Sequence, residues 1–238
     1  MFGIGILSRI FARKVSDTPP PRPIMQVPLG LSPGSVWSPP ALDIELARAE
    51  GGLIGELAGD LIVDRVGRFG LFGMDVWHIR FQDDDSLLQV VTQGSNMENI
   101  KQLRVFTLHA TVTPVSREDW EFWLGRSVRD AAGTATLAEV GLIGGSAFQI
   151  DGPPPAAYNR QWPGHGDQAV RFEEIIEDGK GNRDILVHQG MEYARRLGDA
   201  QDSTVEYLYA VAHGARGHVK VHLGIDLDPG TQRVISLR

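Results

Sequence analysis

Two histidines, His213 and His218, flank a four-residue stretch, Gly214–Gly217, with the composition of a hairpin loop. Residues directly opposed across such a loop hold their Cβ atoms about 4.5–5.5 Å apart, close enough to share a metal ion. His222 is the obvious third ligand. On a strand rising about 3.3 Å per residue, however, it lies about 13 Å from His218. The spacing H-x-x-x-H chelates on a helix, where four residues make about one turn. With two imidazoles and no carboxylate beside them, the pattern predicts no metal and no cofactor, and the histidines read as an exposed polar face. A second cluster is "YNRQW". On a strand, Tyr158, Arg160 and Trp162 share one face, and an arginine between two aromatics stacks on both. That arrangement serves either as a ladder at the edge of a core or as a contact surface for a ligand or partner. Tyr158 and Arg160 are expected at least partly exposed. Tyr158, Arg160, Trp162, His213 and His218 are therefore the candidate ligand or partner residues.

No catalytic residue emerges. The acidic clusters Asp83–Asp85, Glu173–Asp178 and Asp226–Asp228 lack the alternating oxygen series around a glycine that a calcium loop needs. "GRFGLFG" and "EDGKGN" fit neither the dinucleotide nor the phosphate-loop pattern. "GLIGGSAF" lacks the spacing of a nucleophile elbow.

Charge narrows the partners. Of the 238 residues, 23 are Lys or Arg and 30 are Asp or Glu, a net charge of −7. Residues 1–40 carry +3 and residues 41–238 carry −10. An acidic body argues against nucleic acid, whose phosphates call for a basic surface. There is no cysteine, so disulfides and thiolate chemistry are excluded. The opening "MFGIGILSRIFARK" has its charges after the apolar run, unlike a secretory leader. Wound as a helix, residues 1–16 gather Ile6, Leu7, Ile10 and Phe11 on one side and Arg9 and Arg13 on the other. That is the make-up of an interfacial segment, expected to contact a partner or, weakly, an anionic membrane.

Residues 17–40 hold eight of the 14 prolines and read as a linker or as a strap that buries Leu29, Leu31 and Trp37. The body, residues 41–238, alternates with period two. "MDVWHIRFQ" sets Trp77, Ile79 and Phe81 against His78, Arg80 and Gln82, and with Asp83–Asp85 and "SLLQVVTQ" it predicts a hairpin. Phe106, Leu108, Ala110 and Val112 alternate in another run. "HVKVHLGIDL" sets Val219, Val221, Leu223 and Ile225 against His218, Lys220 and His222. Helices are fewer. Ser116, Asp119 and Gly125 bracket one, with Trp120 and Trp123 buried on its apolar face. "ALDIELARAEGG" is another, and Leu186, Gly190, Tyr193 and Leu197 fall at helical spacing in a stretch that also reads as a strand. The sum is an α+β fold, a mainly antiparallel sheet of hairpins with a few packed helices, in a single body domain.

The segments "HIRFQDDDSLLQV", "EDWEFWLG", "IGGSAFQIDG", "YNRQW", "RFEEII", "MEYARRL" and "LGIDL" together resemble the bacterial DUF2491 family over roughly residues 50–228. The resemblance implies no activity and transfers no catalytic residue. It implies a non-catalytic, cytoplasmic accessory or adaptor protein at the inner membrane face, with PspA-type membrane-stress proteins or small membrane proteins as partners. The alternative, read from the residues, is an enzyme or small-ligand binder using the polar face of the body sheet. A concave pocket gathering several polar groups would favour the ligand reading, and a flat exposed aromatic patch would favour the adaptor.

Overall fold

The computed structural model describes residues 25–235 apart from positions 58, 95–97, 130, 154, 164–166, 201 and 214–216. The first half of the chain gives β1 (Val36–Ser38), α1 (Ala41–Ala49), β2 (Leu61–Leu71), β3 (Met74–Phe81), β4 (Ser86–Thr92) and β5 (Ile100–Val112). Then come α2 (Arg117–Leu124), β6 (Arg126–Arg129), β7 (Ala135–Glu139), β8 (Ala147–Ile150) and β9 (Ala156–Arg160). The last third gives β10 (Val170–Asp178), β11 (Arg183–Arg196), β12 (Val205–His213), β13 (His218–Asp226) and β14 (Arg233–Ile235).

The expected α+β sheet with packed helices is overturned. Eight antiparallel strands run β2-β3-β4-β5-β13-β12-β11-β10, and β10 pairs back onto β2, so the sheet closes into a barrel. The predicted hairpin of β3 and β4 forms, with Asp83 accepting from the Ser86 amide across its acidic turn. The helix bracketed by Ser116 and Gly125 also forms, closed by reciprocal bonds between Ser116 and Asp119. Trp120 and Trp123 are only half-buried on it, packed against the core. Leu186–Leu197 is no helix. Most of it lies in β11, whose two faces are both buried along Met191–Ala194, so the alternation that marks a strand is erased there.

Side-chain parity follows the closure. On β12, Glu206, Leu208, Ala210 and Ala212 point outward, while Tyr207, Tyr209 and His213 point in. Tyr209 touches His78 of β3 and Phe106 of β5, strands that are not its neighbours, so this set fills the lumen. The apolar core lies largely outside the barrel. Val27, Leu31 and Trp37, with α1, cover β2–β5 over Val63, Val66, Trp77, Ile79, Phe81, Leu88 and Val90. Ile143, Phe148 and Tyr158, with α2, cover the other side over Met191, Tyr193 and Leu208. Beneath this layer, buried Glu206 accepts from the Leu53 and Ile54 amides, Tyr158 Oη and Arg195. Residues 25–40 thus lie on the body as a strap, with Leu31 and Trp37 fully buried. The face expected for Phe106, Leu108, Ala110 and Val112 is split. Leu108 pairs with His222 and Ala110 with Val221, leaving His109 as a bulge that turns Ala110 and Val112 outward.

Candidate functional site

The polar faces that read as exposed are the inside of the barrel. His78 and Arg80 of β3, Glu174 of β10 and His188 of β11 meet there, with Glu174 fully buried. Arg80 forks onto both carboxylate oxygens of Glu174, at 2.9 and 2.7 Å. His78 Nδ1 lies 3.1 Å from Oε1, and His188 Nε2 lies 2.9 Å from Oε2. Gly67 of β2 makes the room, since a Cβ there would overlap the Glu174 carboxylate. Burial pushes the Glu174 carboxyl up, but Arg80, His78 and His188 outweigh it, and it is held well below the usual carboxylate range. Glu174 is therefore ionised and accepts only. Burial lowers His78 against the pull of Glu174, so its ring is neutral, donating through Nδ1 and accepting from the Gln89 amide at Nε2.

His188 differs. With Nε2–H spent on Glu174, its Nδ1 is buried without a hydrogen-bond partner. Beside it is His213, whose Nδ1 is likewise buried and unpartnered; farther along β13, against Tyr209, His222 is in the same condition at Nδ1. Burial first, then the His188, Arg80 and His218 charges, hold His213 down to about 2. Burial, with Lys220 next, holds His222 down to about 3. Both rings are neutral at ordinary pH. His188, His213, His218 and His222 line a cavity of about 50 Å³ at this end of the barrel, rimmed by Arg65, Asp84 and Lys220. That is room for a few water molecules or a small ligand.

The opposite end is wider. Leu71, Met74, Val76, Val91 and Trp162 wall a cavity of about 230 Å³ whose polar side is Gln89, Arg104 and Glu192. Arg104 bonds Glu192 Oε1 and, at 2.9 Å, Asp226 Oδ1, and its guanidinium lies 3.7 Å from the centre of the Tyr207 ring. Burial raises the Glu192 carboxyl against the pull of Arg104 and of the Gln89 amide beside it. Its Oε2 is buried and makes no hydrogen bond. Between the two ends lies a waist of rings: Phe69 stacks on Phe172 at 4.2 Å, and Tyr209 touches Phe106 and Trp162.

A family described as a protein of unknown function, DUF2491, matches residues 6–231. The chain belongs to the DUF2491 family. No curated protein and no solved structure matches it. The matched span of this DUF2491 chain includes most of the opening segment and all of the proline-rich stretch, beyond the 50–228 carried by the resemblance.

The barrel separates the predicted site residues. Tyr158 is fully buried, contrary to expectation, in the outer core layer, where its hydroxyl bonds Glu206 and Arg195 stacks on its ring. Arg160 spends its guanidinium on the carbonyls of Gly144, Trp162 and Gln168. Trp162 lies past the end of β9, against Phe172 and Tyr209 at the wide end. His213 and His218 stand at the narrow end, so no ladder and no shared surface joins the five. Ile6, Leu7, Arg9, Ile10, Phe11 and Arg13 lie outside the described residues. Glu174, His188, Arg104 and Glu192 were missed. Alternation gave no signal for them: two positions away from Glu174, His188 and Glu192 stand only apolar residues or glycine, and from Arg104 Gln102 and Phe106.

Proposed function

We propose that this chain is a small-ligand-binding barrel that takes an amphipathic molecule at its wide end. The observation that carries the reading is the buried Glu192 Oε2, without a hydrogen bond on the wall of a cavity that sets Leu71, Met74, Val76, Val91 and Trp162 against the polar Gln89, Gln102, Arg104 and Gln161. A buried acceptor without a partner costs about 1–3 kcal/mol. A ligand bearing an N–H or O–H donor on an apolar or aromatic body would satisfy that oxygen and fill the cavity. The inverted plan of the barrel supports the same reading. Burying Arg104, Glu192, Arg80 and Glu174 costs several kcal/mol per ion, and a packed apolar lumen would be at least as stable. A cavity walled by apolar side chains with a few fixed polar groups among them is what small-molecule sites have.

The test is a thermal-shift screen of small amphiphiles. A ligand at a hundred times its Kd adds about 2.7 kcal/mol, or roughly 5–11 °C for a chain of this size. The plug Val91→Trp should abolish the shift. Shifts indifferent to the plug, or none from any amphiphile, would remove the reading.

A second reading, an accessory protein that docks on other proteins, is favoured by one surface. Ile185 is 65% exposed and faces Ile175, 43% exposed, across β10 and β11, with Val187 beside them. Membrane-stress partners and a place at the inner membrane face belong to this reading. No helix among the described residues is long and apolar enough to cross a membrane. Copurification of one partner with the wild-type chain, lost in Ile185→Glu, would support it over the ligand reading.

A further inference from the structure

His188, His213 and His218 stand side by side on three consecutive strands of the barrel. His188 pairs with His213 across β11 and β12, and His213 with His218 across β12 and β13. Their rings follow the row, with centroids 4.7 Å apart for the first pair and 4.8 Å for the second. All three line the narrow-end cavity, and inside a closed barrel neighbouring side chains lean toward the axis. Two imidazoles sharing one ion at about 2.0–2.1 Å place their ring centres roughly 5 Å apart.

The chemistry of the first ring is the more telling. His188 gives Nε2–H to an ionised carboxylate, Glu174, that two Arg80 bonds hold in place. Imidazoles that ligate metals are oriented in this way, the carboxylate fixing the tautomer and raising the basicity of the opposite nitrogen. That opposite nitrogen, Nδ1, is buried, unpartnered and beside His213, whose own Nδ1 is also unpartnered. In the neutral ring it is a bare lone pair with no protein donor, able to ligate a Lewis acid. Metal was excluded from the sequence for want of a third ligand, and the barrel supplies one from β11.

We propose that His188, His213 and His218 form a site for one divalent transition-metal ion of the zinc and copper class. As the side chains stand, no three metal-binding groups among the described residues converge on one point. Binding turns the rings of His213 and His218, half-buried at the end of their hairpin, toward the fixed Nδ1 of His188. The donors are imidazole nitrogens, and the nearby carboxylates are engaged, Glu174 with Arg80 and Asp84 with Arg65. Such a set favours Cu²⁺, Zn²⁺, Ni²⁺ and Co²⁺ and disfavours Mg²⁺ and Ca²⁺. The site is independent of the wide-end ligand reading, from which the aromatic waist separates it.

The experiment is titration of the full chain, without an affinity tag, with Zn²⁺, Cu²⁺ and Co²⁺ by calorimetry, and with Co²⁺ by visible absorption. The expected result is about one ion per chain and a Co²⁺ spectrum of nitrogen ligation, with no heat from Mg²⁺ or Ca²⁺. His213→Ala and His188→Gln should each weaken binding by about tenfold or more, while His109→Ala should not. Because His188 is buried and its change can disturb the fold, His213→Ala carries the decision, checked by an unchanged circular dichroism spectrum. No binding of any of the three ions at about 0.1 mM, or binding that His213→Ala leaves intact, would overturn the site.

Discussion

Replacing Glu174 with glutamine keeps the shape of the side chain and removes its charge. In the folded chain that charge answers both nitrogens of Arg80 and the rings of His78 and His188. An amide in its place has one accepting oxygen, and its NH₂ group meets N–H donors head on. Removing one partner of a buried pair costs about 3–5 kcal/mol. The Arg80 side chain is 22% exposed, so water takes up part of the loss and the lower figure applies. At about 2–4 °C per kcal/mol for a chain of this length, Tm should fall by roughly 6–12 °C. Calorimetry at neutral pH measures it. The pH dependence has a definite sign. The folded carboxyl titrates below the unfolded one, so its contribution is complete above the unfolded value of about 4.3. It is lost as pH falls through the folded value. The gap between wild type and Glu174→Gln should therefore close on acidification. Replacing Arg80 as well, with methionine, should recover part of the loss, because no charge is then stranded. A fall in Tm of under about 2 °C, or a gap that widens in acid, would show that Glu174 is not the anchor of the lumen.

Gly67→Ala forces a methyl into the space of the Glu174 carboxylate and should cost about 1–3 kcal/mol, read from the urea midpoint at constant m. Tyr158→Phe removes a bond to the buried Glu206 carboxylate, and a loss of about 1.5–3 kcal/mol is expected in the same assay. Ser116→Ala removes the acceptor for the Asp119 amide at the start of α2 and should cost about 1 kcal/mol. His213 and His222 titrate in the folded chain at about 2 and about 3. Their contribution is whole above the unfolded histidine value of about 6.5 and drains as pH falls below it. Stability should therefore decline from about pH 6.5 downward, and more gently in His213→Gln.

The strands were legible because one face of each is apolar whether that face looks into a core or out from a barrel. Trp77, Ile79 and Phe81 alternate with His78 and Arg80 in either case, and so do Val219, Val221 and Leu223 with His218, Lys220 and His222. What the pattern does not carry is the sign. Polar faces were assigned to solvent because an isolated sheet buries its apolar side, yet a second layer outside a closed barrel reverses that without changing a residue. Closure itself rests on backbone bonds between β10 and β2, far apart in sequence, with Gly67 as its one local trace. The helix of Ser116 and Gly125 was legible because capping is local. The fate of "YNRQW" was not, because Tyr158 answers to Glu206 and Arg195, and Trp162 turns away after the strand has ended. The histidine row needed His188, which nothing near it in the chain marks as a neighbour of His213.

The barrel is joined from two four-stranded meanders, β2–β5 and β10–β13, each made of strands consecutive in the chain. One seam, β5 to β13, is held by eight residue pairs, while the other, β2 to β10, has only four. A cylinder with unequal seams has a hinge and a latch. The meanders can form first from local pairings, with the lumen still wet, and the two long-range seams, the short one among them, shut afterwards. Arg80 comes from the first meander and Glu174 from the second, beside that short seam, so the two charges meet as the latch closes. A costly dehydration and the interaction that offsets it then belong to one step of folding. The same latch is the shortest route by which the interior could reopen without the rest of the wall coming apart.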